Sequence, residues 1–316
     1  AYTVPASSLA ELSQDANITH ISLDRVVKGR LDNSAAAVNA SAAWALSVDG
    51  SGVGVAVIDS GITNTPDLRA GRAGVVYSVD FTGGRGNDDY GHGTHVAGII
   101  AANGKSSNCS SCTRSFQGIS PGVSLINLRV LDANGQGTDS SVIAAIETAI
   151  TLKNVFNIRV INLSLGRPVF ESYTEDPLCQ AVEEAWKAGI VVVVAAGNEG
   201  RDNSFGNDGY ATIGAPGNDP YVITVGAMKS MGTYDRTDDL IASYSSKGPS
   251  AIDHIVKPDI VAPGNLVVSL LAPGSTLAGQ SADLVPLSYY QTAKGNGNGN
   301  GNGNGDGKGG NSYSKN

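Results

Sequence analysis

Residues 190–196, Ile-Val-Val-Val-Val-Ala-Ala, form an unbroken apolar run between Gly189 and Gly197. The run is far shorter than the roughly 20 residues that a membrane-crossing helix needs. It offers no polar residue for a wet face, so it reads as a strand buried on both sides, the kind found in parallel sheets covered by helices. Residues 53–58 read the same way. Further strands are expected at 125–131, 160–163, 221–225 and 259–261. Helices are expected at 92–102, 140–152 and 178–187, the second carrying Val142, Ile143, Ile146, Ala149 and Ile150 at helical spacing. Strand and helix in alternation predict an α/β fold, a doubly wound and mainly parallel sheet flanked by helices. Sites in such sheets form outside the carboxyl ends of the strands.

The 316 residues allow one large domain or two smaller ones. Charged residues are 16% and the formal net charge is −8, with no Lys/Arg cluster, which argues against binding a phosphate backbone. Residues 1–30 differ in pattern from the remainder of the chain. Residues 18–23 alternate as a half-buried strand does, a polar seam comes next at 28–33, and an Ala-rich helix is expected over 34–46. Residues 31–293 make the main domain. The stretch 294–316 is a Gly/Asn-rich tail or loop, whose repeats at 295–310 cannot bury apolar surface and should form flexible coil. Cys109 and Cys112 form a C-x-x-C in a polar loop, and Cys179 stands alone. A loop-stapling disulfide, free thiols and a metal site are all open for that pair. The redox motif is disfavoured because it needs a strand before and a helix after.

Three segments carry chemistry-bearing residues. Asp59 ends an apolar strand in Asp-Ser-Gly-Ile, where a rigid scaffold would hold its carboxylate. His92 sits between glycines at the mouth of a helix in Gly91-His-Gly-Thr-His-Val-Ala-Gly98, and imidazole suits proton transfer near neutral pH. The pair His92 and His95 lacks the spacing and the glutamate of a helical zinc motif. Asn198 follows a buried strand and Gly197, where an amide can donate to a developing oxyanion or simply cap a turn. Gly50-Ser-Gly-Val-Gly54 precedes its strand, unlike a dinucleotide fingerprint, which follows one.

Together these segments resemble the subtilisin-like serine proteases, across roughly residues 35–271. The likeness extends to Asn162-Leu-Ser-Leu-Gly166, Ala195-Ala-Gly-Asn198, Ser245-Ser-Lys-Gly-Pro249 and Lys257-Pro-Asp-Ile-Val-Ala-Pro-Gly264. The resemblance implies a secreted endopeptidase in which Asp59 orients His92, His92 is general base and then acid, and Asn198 serves the oxyanion. It implies that substrate adds as a strand between Leu163, Ser164, Leu165 and Gly166 on one side and Gly135 to Gly137 on the other. Ala195, Ala196 and Gly197 would line the pocket for the side chain before the scissile bond. No cofactor is expected for the chemistry. A structural calcium ion is expected to be compatible with the family, with Asp67 resembling one ligand. The expected partners are an extended polypeptide substrate and the protein's own propeptide as inhibitor, of which residues 1–30 resemble the end. The protein is expected to be a monomer, with no nucleic acid and no membrane span.

The pattern breaks at the nucleophile. The family carries its serine in Gly-Thr-Ser-Met-Ala, and the 316 residues contain no such motif; Ser230-Met231 lacks the Gly-Thr and is followed by Gly232. The domain is therefore expected to be C-terminally incomplete and inactive alone. The alternative is a serine-less relative that binds peptides without cutting them.

Overall fold

The computed structural model describes residues 5–8, 12, 14, 15, 34–70, 73–280, 284–292 and 313–315. The elements are helices α1 (Ser34–Ala37) and α2 (Ala40–Ala45), strands β1 (Gly54–Asp59), β2 (Arg69–Ala70) and β3 (Ala73–Asp80), helix α3 (His92–Ala101), strand β4 (Ser124–Arg129), helix α4 (Asp139–Phe156), strand β5 (Ile158–Leu163), helix α5 (Pro177–Lys187), and strands β6 (Val191–Ala195), β7 (Ile223–Lys229), β8 (Leu240–Ile241), β9 (Ile260–Pro263), β10 (Val268–Leu270) and β11 (Tyr313–Lys315). The propeptide-like strand at 18–23, the seam at 28–33 and the Gly-Asn repeats at 295–310 lie outside the described residues.

The main sheet runs β2-β3-β4-β1-β5-β6-β7-β8, with β9 also on β7. From β3 to β7, and on to β9, every pairing is parallel; only the short β2 and β8 run antiparallel. Strand β1 lies in the middle and all six of its residues are buried. Its side chains divide between two cores. Ala56 and Ile58 join Ile126, Leu128, Ile146 and Val182 under α4 and α5. Val55 and Val57 join Val96, Ala97, Leu125 and Leu270 on the face that carries α3 and β10. Helices on both faces leave no wet side, which is why the run at 53–58 carries no alternation.

Several boundaries differ from the sequence expectation for local reasons. The helix expected over 34–46 is two short helices, broken where Asn39 adopts the left-handed conformation at φ 55°. Helix α4 runs past Leu152 to Phe156 and stops where Asn157 turns left-handed at φ 49°; at its start Thr138 Oγ1 accepts from the Ser141 amide. Strand β3 was not anticipated; neither was the pairing of β10 with β11.

Helix α3 lies directly on β10. A Cβ at Gly98 would stand 2.3 Å from Ser269 Oγ and 2.8 Å from Leu270 Cγ. Ser269 Oγ in turn donates to the carbonyl of His95 at 2.7 Å. Overpacking such a contact costs about 1–3 kcal/mol, more than any modest gain in helix propensity returns. Gly98→Val should therefore lower unfolding stability by about 2–3 kcal/mol in a urea titration at unchanged slope. A variant as stable as its parent would show that α3 is not seated this closely.

Candidate active site

Asp59 is the last residue of β1 and Leu163 the last of β5, and Ala195 closes β6. These strands are neighbours and parallel, so their carboxyl ends share one rim of the sheet. Asp59 is 1% exposed. Its Oδ1 accepts from the Ser60 amide at 2.7 Å and both oxygens meet His92 Nδ1, at 2.8 and 3.0 Å. The His92 side chain keeps 25% of its surface exposed, so the ring bridges a buried carboxylate and an open cleft.

The start of α3 is fixed by two residues the sequence reading passed over. Asp88, 3% exposed, accepts from the Gly91 amide at 2.6 Å, the Thr94 amide at 2.7 Å and Ser60 Oγ at 2.8 Å. Ser60 Oγ accepts from the Gly93 amide at 2.9 Å. The bonds to Gly91, Gly93 and Thr94 satisfy amides that a helix start leaves unpaired, and they lock the helix to the turn after β1. A Cβ at Gly93 would lie 2.2 Å from the Gly61 carbonyl, so only glycine permits this approach. Asp88 stands three residues before the cap at Gly91, outside the cap and first-turn positions that mark a helix start in sequence. Behind it, Arg129 at the end of β4 ties down the 80–89 loop through Asp80 at 3.4 Å, Asp89 at 2.8 Å and the Asn87 carbonyl at 2.7 Å.

The two histidines of the motif have opposite environments. The Asp59 charge raises the pKa of His92 above its ordinary value, against the lowering effect of burial. His95, 5% exposed, makes its Nε2 contact with the Val267 carbonyl at 3.1 Å, and burial pushes its pKa down to about 4. His95 is therefore neutral at pH 7, and its ring is spent on packing.

A cavity of about 890 Å³ opens at the carboxyl ends of β5 and β6, lined by neither Asp59 nor His92. Ser164, Leu165 and Gly166 line it on one side and Ala195, Ala196, Gly197 and Asn198 on the other. Phe170 and Phe205, both largely exposed, and Val225, Ala262 and Pro263 make its remaining surface mainly apolar. Leu163 itself faces the core, 0% exposed, and only its backbone belongs to this rim. Gly135 and Gly137 do not line this cavity. They belong to a tight turn before α4, closed by the Gly135 amide on the Asp132 carbonyl at 3.1 Å and the Asp132 amide on the Gln136 carbonyl at 2.8 Å. That turn follows β4, on the other side of β1 from β5.

Asp67 does not fit a calcium ion in this arrangement. Its carboxylate, 1% exposed, already accepts from the Ser106 amide at 3.1 Å, from Ser106 Oγ and from the Tyr313 hydroxyl at 3.3 Å. Calcium asks for six to eight oxygen ligands, and donors on this carboxylate point the wrong way for one. Among the described residues no group of three or more His, Cys, Asp or Glu is gathered for a metal. Cys109 and Cys112 are joined in a disulfide, and Cys179 is buried with a free thiol. Among the described residues no helix is long and apolar enough to cross a membrane.

Folding raises the His92 pKa, so the pair's contribution to stability is fully present below the unfolded value of about 6.5 and is lost as pH rises through the folded value. Replacing Asp59 by Asn removes the raising charge and leaves the burial. Imidazole NMR should show His92 titrating above its ordinary value in the parent and below it in Asp59→Asn, with the stability difference between the two shrinking as pH rises. Identical His92 midpoints in both proteins would break the assignment.

Known proteins resemble this chain in sequence and in fold. The family model described as the Subtilase family matches residues 50–308. Serine protease AprX of Bacillus subtilis (strain 168) is 39% identical over 285 residues, covering 87% of this chain and 61% of that protein. The extracellular serine proteinase of Thermus sp. (strain Rt41A) is 34% identical over 292 residues, covering 87% and 60%. This chain thus spans about 60% of the length of these curated relatives. Among solved structures, sphericase aligns with a TM-score of 0.57 at 29% identity, covering 79% of this chain and 73% of its own. A cold-adapted subtilisin-like serine proteinase aligns at 0.53 and 29%, covering 72% and 68%.

Proposed function

We propose, from the premise that this chain belongs to the subtilase family, that it is the greater part of the catalytic domain of a secreted serine endopeptidase acting on extended polypeptides. The observation that carries the reading is the 2.8 Å bond between the buried Asp59 carboxylate and His92 Nδ1, at the same strand-end rim from which β5 and β6 line an open cavity. With Nδ1 committed to the carboxylate as donor, Nε2 presents its lone pair and acts as the base. His92 takes the proton of the attacking hydroxyl and returns it to the leaving amine, while Asp59 stabilises the imidazolium between the two transfers. Asn198 donates its amide to the oxyanion of the tetrahedral intermediate. Water then attacks the acyl group left on the serine, with His92 taking its proton and returning it to the serine oxygen, so every proton moves among side chains, substrate and water and the chemistry calls for no cofactor.

Substrate adds as a strand along the backbone of Leu163 to Gly166, with Gly135 to Gly137 flanking it on the other side. Main-chain hydrogen bonds supply affinity, and pockets supply selectivity. Ala195, Ala196 and Gly197 leave room in the cavity for a large apolar side chain. These 316 residues carry no Gly-Thr-Ser-Met-Ala motif, so by themselves they do not hydrolyse peptides by this route. Residues 1–30 are the end of an inhibitory propeptide, and the mature enzyme is an exported monomer. A stop codon directly after Asn316 would instead favour a peptide-binding relative without catalysis.

The test uses the full-length protein and a peptide amide substrate. His92→Ala should lower kcat by about 10⁶, and Asn198→Leu by about 10²–10³ with little change in KM, magnitudes taken from a subtilisin of the same family. Hydrolysis at the parental rate in His92→Ala would refute its role as base.

A further inference from the structure

Ser60 touches two buried carboxylates at once. Its amide donates to Asp59 Oδ1 at 2.7 Å, and its hydroxyl donates to Asp88 Oδ1 at 2.8 Å. The direction of the hydroxyl is forced. The Gly93 amide can only donate, and it takes a lone pair of Ser60 Oγ at 2.9 Å, which leaves the Ser60 proton for Asp88. Ser60 is fully buried, and the turn it opens is held to α3 a second time where the Thr63 amide donates to Thr94 Oγ1 at 2.9 Å. The carboxylate that ends β1 and the carboxylate that fixes the start of α3 are therefore bonded to one residue.

Asp88 brings more than a helix start needs. Gly91, at the cap position of α3, makes no side-chain cap bond. The bonds that Asp88 makes to the Gly91 and Thr94 amides could come from neutral oxygens, as Ser or Asn supplies at other helix starts. Asp88 adds a charge. Its bonding partners, two amides and a hydroxyl, are neutral. Arg129, the cation that ties the same loop, is committed to Asp80 and Asp89. The Asp88 charge is accordingly felt at the His92 ring. The Asp59 charge is the main cause that raises the His92 pKa, burial opposes it, and the Asp88 charge adds to the effect of Asp59. His95, one turn on, is neutral at pH 7 and contributes no charge.

We propose that Asp88 and Ser60 are positioning residues for the Asp59–His92 pair: Ser60 couples the two carboxylates into one unit, which fixes the ring against Asp59 and faces it with a second negative charge as it takes up a proton. Both residues are buried and act through His92, so their consequence for catalysis rests on the function proposed above.

Two substitutions in the full-length protein separate the charge from the link. Asp88→Asn keeps the shape and removes the charge. The His92 midpoint read by imidazole NMR, and with it the acid limb of kcat/KM, should move to lower pH. Ser60→Ala removes the hydroxyl and keeps both carboxylates. It should leave the His92 midpoint near the parental value and lower kcat about tenfold with KM unchanged, because a small misplacement of a catalytic group costs rate steeply. A parental midpoint in Asp88→Asn would reduce Asp88 to a helix cap and overturn the proposal. So would a parental kcat in Ser60→Ala. Where Asp88→Asn does not fold, Ser60→Ala carries the decision through the same two readouts. A full-length parent that hydrolyses no peptide would overturn the functional reading instead, and the His92 midpoints would then decide the coupling alone.

Discussion

A carboxylate that is 1% exposed has to find partners for its oxygens inside the protein. Asp59 meets that condition with the amide of its neighbour and the ring of His92. The position of the carboxylate follows from β1, which is buried on both faces at the middle of the sheet and has no freedom to shift. The position of the ring follows from α3, whose first turn is bonded through Asp88 and Ser60 to the turn after β1. The Asp59–His92 bond is thus the junction of the strand and helix systems. The rest of the cleft is arranged around it.

The same helix shows how neighbouring positions in one motif acquire opposite chemistry. His92 faces a carboxylate and keeps an open side, and its proton affinity rises. His95, one turn on, faces backbone carbonyls inside the core and is held neutral. A metal site built from the two would need both rings on one ligand, and the fold directs them to different partners. The far end of the helix is organised by aromatic packing around Phe116 and by the disulfide turn. One element therefore carries a reactive end and an anchored end.

Much of this was legible in the sequence because burial leaves a composition signature. The apolar run at 53–58 is a strand covered on both faces, whereas in the run at 190–196 Val192 and Val194 are buried while Val191 and Ala195 are exposed, so that reading held for β1 and not for β6; parallel strands brought Asp59, Leu163 and Ala195 to one rim. Asp59 and His92 could be picked out because each stands at the end of such an element. The break at Asn39 was not legible, since a left-handed asparagine inside an Ala-rich stretch leaves no periodic trace. Nor was β11, which comes after a long Gly-Asn stretch and is specified by contacts with Phe116, Tyr290 and Asp67 that lie far away in sequence. Ser60 and Asp88 act through hydrogen bonds to backbone, and such bonds set no spacing that a reader of sequence can count.

The central claim is that Asp59–His92 and Asn198 address one substrate carbonyl from two sides of a cleft. A crystal structure of the protein with an extended peptide bound tests this most directly. The account predicts a peptide carbonyl oxygen within about 2.7–3.1 Å of Asn198 Nδ2, its carbon on the Nε2 side of His92, and the preceding side chain in the cavity beside Ala195 to Gly197. A peptide seated elsewhere, or one whose carbonyl near His92 turns away from Asn198, would contradict it.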